Sequence, residues 1–87
     1  MSDYPEILIL GRDTCEDTIR SRGHLEMLGI PYVYRSVEVD QEADAWNRSY
    51  NDGNRVTPVI LVGDPHHPTA VLIEPSDALL EQAVTTA

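Results

Sequence analysis

The chain holds a single cysteine, Cys15, in the string Gly11-Arg12-Asp13-Thr14-Cys15-Glu16-Asp17-Thr18. It follows an apolar run, Ile7-Leu8-Ile9-Leu10, and opens a segment with helical character. A thiol at a strand-to-helix junction faces the open N–H groups of a first helical turn, equivalent to about half a positive charge, which favour the thiolate. The thiolate is the form that attacks a disulfide sulfur. One cysteine closes no disulfide within the chain, so any redox cycle must draw its second thiol from outside. Arg12 adds a positive charge three residues before the sulfur, while Glu16 and Asp17 oppose it. A unit charge about 7 Å away, at a dielectric between roughly 40 and 80, changes the energy of the thiolate by about 0.6–1.2 kcal/mol. Two such carboxylates rival the helix contribution. The same acids would stabilise the first turn of any helix by about 0.3–1 kcal/mol. Thr18 can offer the sulfur a weak hydrogen bond, and can equally be a helix residue packed beneath the loop.

No other constellation has comparable chemistry. His66 and His67 lie in a loop between prolines and His24 lies elsewhere on a helix, without metal-site spacing, so no metal ligands are expected. A Gly-rich phosphate loop, a paired-carboxylate site and a Ser-His-Asp arrangement are not evident.

Alternating elements position the cysteine. The first apolar run reads as a strand buried on both faces and ended by Gly11. Residues 15 to 28 read as a helix, capped by Thr14 or Asp13, with Leu25 and Leu28 on one face and Gly29 as its stop. Pro31 to Val39 is rich in β-branched and aromatic residues and reads as a second strand. Asp40 caps a helix through about Tyr50, with Ala43, Trp46 and Tyr50 on its apolar face. After the turn cluster Asn51-Asp52-Gly53-Asn54, Pro58 to Val62 is a third strand, 63 to 69 a loop, and Ala70 to Ile73 a fourth strand forming a hairpin. Ser76 caps a last helix, with Asp77 at its start and Leu79, Leu80, Ala83 and Val84 facing inward. The order β-α-β-α-β-β-α demands a parallel first pair with a right-handed crossover. The fold class is therefore α/β, a mixed four-stranded sheet with helices on both faces.

With 87 residues, 41% of them apolar, the chain reads as one domain spanning 1–87, able to bury one modest core. A site on such a domain is a surface groove rather than a deep cavity. The formal charge is −9 and all six cations are arginine, so phosphate backbones are repelled and nucleic-acid binding is excluded as a function. Residues 1–6 show no basic leader and the chain no membrane span. A lone free cysteine fits a reducing cytoplasm.

The element order, the cysteine at the first strand–helix junction and a Thr-Pro before the third strand together resemble the glutaredoxin branch of the thioredoxin fold, over nearly the whole chain. Asn51-Asp52-Gly53-Asn54-Arg55-Val56-Thr57-Pro58 is similar to the family's Asn-Gly-Gly-x-Arg-Thr-Val-Pro segment. Ile73-Glu74-Pro75-Ser76-Asp77 resembles the start of the last helix in the Asn-Pro-Ser form of the actinobacterial mycoredoxins, and Leu28-Gly29-Ile30-Pro31-Tyr32 is also typical. The resemblance implies that Cys15 is the catalytic nucleophile and that Arg12 and Arg55 approach the carboxylate of a small thiol. It further implies that Pro58 is a cis proline facing the cysteine and that the Thr57 backbone pairs with the bound thiol. Ser76 and Asp77 would receive the thiol's charged end. The departures lie at the site itself. Where the family has Cys-Pro-Tyr-Cys or Cys-Gly-Phe-Ser, this chain has Cys15-Glu16-Asp17-Thr18. Thr18 replaces the second cysteine and Asp17 the aromatic wall. Val56 and Thr57 are exchanged, and Glu74 adds another acid.

The function expected from the resemblance is a monothiol, glutaredoxin-like thiol–disulfide oxidoreductase. It would act on mixed disulfides between proteins and a low-molecular-weight thiol, as a monomer without a bound cofactor, with glutathione or mycothiol as co-substrate. The acidic motif implies a Cys15 less acidic than in a dithiol glutaredoxin. Two other readings stay open: a redox-weak thioredoxin-fold module that binds a protein partner, which the acidic motif and the missing second cysteine favour, and a dimer sharing an iron–sulfur cluster on Cys15, which the acids would crowd.

Overall fold

A computed structural model describes residues 4–85; residues 1–3, part of the segment read for a leader, and 86–87 lie outside the described residues. The elements are β1 (Ile7–Gly11), α1 (Glu16–Met27), β2 (Val33–Ser36), α2 (Gln41–Arg48), β3 (Val59–Asp64), β4 (His67–Ile73) and α3 (Asp77–Thr85). The sheet order is β2-β1-β3-β4, with β1 parallel to β2 and antiparallel to β3, and β3 antiparallel to β4. The expected mixed four-stranded sheet is what forms.

Period-two alternation in the two central strands divides the core. Ile7, Ile9, Ile60 and Val62 face one way and meet Leu25 of α1 and Leu80 and Val84 of α3. Leu8, Leu10, Val59 and Leu61 face the other way and meet Val37 and Ala43, with Trp46 of α2 and Tyr50 just beyond it packed beside them. Helices thus cover both faces. Burying each of these aliphatic side chains contributes about 1.5–3 kcal/mol, so the doubly covered strands β1 and β3 are the rigid frame of the molecule.

Several boundaries differ from the sequence reading, each for a local reason. Neither Thr14 nor Asp13 caps α1: Cys15 itself is the N-cap residue, and no side chain caps the helix. The strand expected over Pro31–Val39 is shorter. Val37 still donates to the Gly11 carbonyl at 2.9 Å, but a turn closes as Asp40 N–H reaches the Ser36 carbonyl at 3.0 Å. Val39, beyond that turn, is 86% exposed. Asp40 caps α2 as expected, accepting from the Ala43 N–H at 3.0 Å. That helix stops at Arg48 rather than Tyr50, because Gly53 N–H takes the Arg48 carbonyl at 2.9 Å. The expected loop 63–69 is largely strand. A register shift between Val62 and Gly63, with Gly63 at φ 93°, lets β4 begin at His67. Pro68 is accommodated there because β4 is an edge strand. In α3 the Ser76 hydroxyl caps Leu79 N–H at 3.2 Å as expected, but Leu79 is 57% exposed; only Leu80 and Val84 are fully inward.

Where α1 crosses the end of β1, the fit is close. A Cβ built on Gly11 would stand 2.6 Å from Cγ2 and 2.7 Å from Oγ1 of Thr18, a side chain with 0% exposure. A β-branched side chain locked in the core does not swing away, so Gly11→Ala should destabilise by about 1–3 kcal/mol. Thermal unfolding checks this. The double variant Gly11→Ala with Thr18→Ala should recover part of the loss, and strict additivity of the two single effects would contradict the contact.

Candidate functional site

Cys15 sits at the end of the Arg12–Thr14 turn, with its N–H on the Arg12 carbonyl at 3.2 Å and its carbonyl accepting from Ile19 at 3.0 Å. As the N-cap residue it occupies the place where a serine or aspartate oxygen would normally satisfy the first-turn N–H groups. The sulfur stands in that place without capping the helix. Across from it runs the segment before β3, where the Thr57–Pro58 peptide is cis. The thiol donates to the Thr57 carbonyl at 3.5 Å.

Burial pushes the Cys15 thiol up, but hydrogen bonds to the thiolate prevail and hold it below its ordinary value: the Thr57 hydroxyl first, then the Thr18 N–H and hydroxyl and the Asp17 N–H. The Thr57 hydroxyl is itself oriented, because Arg12 Nε donates to its oxygen at 3.5 Å. That leaves its proton free to point at the sulfur. Arg12 therefore acts on the thiolate through Thr57. Thr18, fully buried, also accepts from the Arg12 N–H at 3.4 Å. It is both the packed helix residue and the hydrogen-bond donor that the sequence allowed.

A groove of about 320 Å³ opens at the sulfur, lined by Arg12, Cys15, Arg55, Val56, Thr57 and Glu74. Of the residues expected to hold a small thiol, Arg12, Arg55 and Thr57 meet there, and Pro58 is buried directly behind Thr57. Ser76 and Asp77 are not in the lining. Ser76 is engaged as the α3 cap, and Asp77 faces Arg20 at 3.4 Å and His24 at 3.9 Å. Asp77 Oδ1 is screened from water, an ion-pair neighbour of Arg20 without a directed hydrogen bond. Arg20 also pairs with Asp17 at 2.7 Å and donates to the Pro75 carbonyl at 3.1 Å. Asp17 is thereby turned toward a cation, which blunts the opposition to the thiolate expected from it. Glu16 is exposed.

Arg55 is less available than its position in the lining suggests. Its Nε holds Asp44 at 2.9 Å and its terminal nitrogen reaches the Val37 carbonyl at 3.5 Å. Glu74 lies at φ 48°, tied to the groove by its N–H on the Pro58 carbonyl at 3.0 Å. Sequence reasoning did not single out Val56 as lining, Arg20 as the bridge between Asp17 and Asp77, or the wholly buried Asn47. Asn47 had a readable signal, since it falls between Ala43 and Tyr50 on the inward stripe of α2. Among the described residues no group of three or more His, Cys, Asp or Glu side chains could hold a metal ion. His66 stacks on Trp46, ring centres 5.2 Å apart, and His24 meets Glu81 at 3.0 Å. No helix among the described residues is long and apolar enough to cross a membrane.

Replacing Thr57 by valine removes a donor to the thiolate while keeping shape. Because the deprotonated form loses the stabilisation, the midpoint of iodoacetamide alkylation against pH should move upward, by roughly 0.7 for each kcal/mol lost. Thr57→Ser should stay near wild type. A midpoint unmoved in the valine variant would show that the hydroxyl does not hold the sulfur.

No protein-family model matches the chain. A 41-residue stretch, 47% of the chain, is 42% identical to Mycoredoxin 1 of Corynebacterium glutamicum, in two strains, and covers 52% of that protein. The chain thus spans about half the length of the curated relatives it matches. The solution structure of a glutaredoxin from Brucella melitensis superimposes with a TM-score of 0.66 over 93% of this chain and 82% of that one, at 16% identity.

Proposed function

We propose that this chain, a glutaredoxin-like protein of the thioredoxin fold, is a monothiol thiol–disulfide oxidoreductase of a reducing cytoplasm. The observation that supports the reading most directly is the thiol at an uncapped helix start, held below its ordinary pKa and opening onto a groove walled by Arg12 and Thr57. The Cys15 thiolate attacks the small-thiol sulfur of a protein mixed disulfide. A Cys15–small-thiol disulfide forms as the protein leaves as its thiolate. A second small-thiol thiolate then attacks the small-thiol sulfur of that disulfide, giving the oxidised small-thiol dimer and free Cys15. Thr18 stands where a resolving cysteine would, so each turnover ends with the outside thiol.

The charges in the groove favour mycothiol over glutathione as co-substrate. Arg55 is already paired with Asp44, and Glu74 lines the same groove. Arg12, which lines the groove with Glu74, donates to the Thr57 hydroxyl and pairs with no carboxylate among the described residues. Glutathione brings two carboxylates and a net negative charge, whereas mycothiol is an uncharged sugar-linked thiol with many hydroxyls. The match to Mycoredoxin 1 supports the same choice. Against the redox-weak binding module stands the net lowering of the Cys15 pKa despite its acidic neighbours.

Turnover of mixed disulfides carrying either small thiol, by wild type and by Cys15→Ser, tests the reading. Activity with the mycothiol conjugate, lost in the serine variant, is expected. Glu74→Gln should improve use of the glutathione conjugate severalfold, since one repulsive carboxylate is worth about 1 kcal/mol at this range. Silence with both conjugates would leave a binding module.

A further inference from the structure

Asn47 on α2 has 0% exposure, yet none of its atoms lines the groove. Asparagine is a poor choice for a helix interior, and α2 lies on the sheet face that carries the apolar cluster of Leu10, Val59 and Leu61. Its amide is wholly engaged with main chain. Nδ2 donates to the Leu10 carbonyl at 3.3 Å and to the Val56 carbonyl at 2.6 Å, and Oδ1 accepts from the Val56 N–H at 3.0 Å. The flat amide thus gives Val56 both of the bonds that a neighbouring strand would give, and ties that residue to the end of β1.

The two tethered segments are the ones that build the site. Leu10 leads through Gly11 to Arg12 and Cys15. Val56 leads to Thr57, whose carbonyl meets the sulfur and whose hydroxyl meets Arg12. No sheet pairing joins the Val56–Thr57 stretch to β1, because the β1–β3 ladder begins at Val59. Asn47 supplies the missing link.

We propose that Asn47 is a positioning residue that sets the separation between Cys15 and the Thr57 backbone, and thereby how tightly the small-thiol half of a mixed disulfide is held. The inference rests on the oxidoreductase reading of the site, and it names a control of binding within that reading. Removing the amide takes away the partners of the Val56 N–H and carbonyl and cuts the tie to Leu10, so the segment is free to move toward solvent.

The test compares Asn47→Ala and Asn47→Asp with Val84→Ala, a core variant on the opposite face of the sheet that serves as the stability control. The Asn47 variants should raise KM for the mixed disulfide about tenfold, with kcat changed no more than about threefold, and should move the Cys15 alkylation midpoint upward. Val84→Ala should lower the melting temperature and leave both readouts in place. Folded Asn47 variants with wild-type KM and midpoint, or a Val84→Ala variant that shifts them equally, would overturn the inference. If neither Asn47 variant folds, amide exchange on the wild-type chain decides: Val56 N–H should be protected as strongly as the amides of β1 and β3, and rapid exchange there would overturn the proposal. If wild type turns over neither conjugate, the oxidoreductase reading fails by itself, while the alkylation midpoint and the exchange of Val56 still decide the role of Asn47.

Discussion

Everything at the site depends on how closely α1 can approach the end of β1. Gly11 has no side chain, and Thr18 fills the space where one would be. That contact fixes the angle at which the chain leaves the sheet and the point where the helix starts. Cys15 becomes the first residue of the turn with nothing in front of it, and the sulfur inherits hydrogen-bond donors that a capping oxygen would otherwise consume. The same Thr18 then gives the sulfur two of the bonds that favour its thiolate. One packing constraint thus sets both geometry and reactivity.

Electrostatics around the sulfur are governed by pairing more than by count. The chain is strongly acidic, and acids crowd the Cys15 turn, yet Arg20 gathers Asp17 and Asp77 to itself on the flank away from the groove. Asp44 performs the reverse operation on Arg55. Exposed pairs of this kind add little stability, about 0–1 kcal/mol each. Their effect is to choose which charges a ligand would meet, leaving Arg12 and Glu74 inside the groove.

The mixed four-stranded sheet with helices on both faces was legible in the sequence because unbroken apolar runs, alternating with helical segments, report doubly buried strands directly; the order of the strands across the sheet was not. The cysteine was legible because no other thiol exists. The residues that misled did so through competition between local and distant partners. Asp13 and Thr14 have capping chemistry, but Asp13 instead accepts from the Tyr34 hydroxyl of β2. Ser76 and Asp77 lie in the expected segment, but a cap and two neighbouring side chains claim them. Pro68 read as a loop residue because its place at a sheet edge is visible only once the strands are ordered. Asn47 was passed over because a polar residue on an apolar stripe explains itself only when the backbone groups it serves, from distant parts of the chain, are seen beside it.

The open margins of the sheet have a consequence of their own. β2, at one margin, is only four residues long and turns away after Ser36. β4, at the other, bears the irregularity at Gly63 and a proline that has no N–H to offer. Neither margin presents a long, flat row of unpaired donors and acceptors to a passing chain, which is how extended strands recruit one another into fibrils. A small acidic domain shaped this way can remain dispersed in crowded solution with its thiol uncovered.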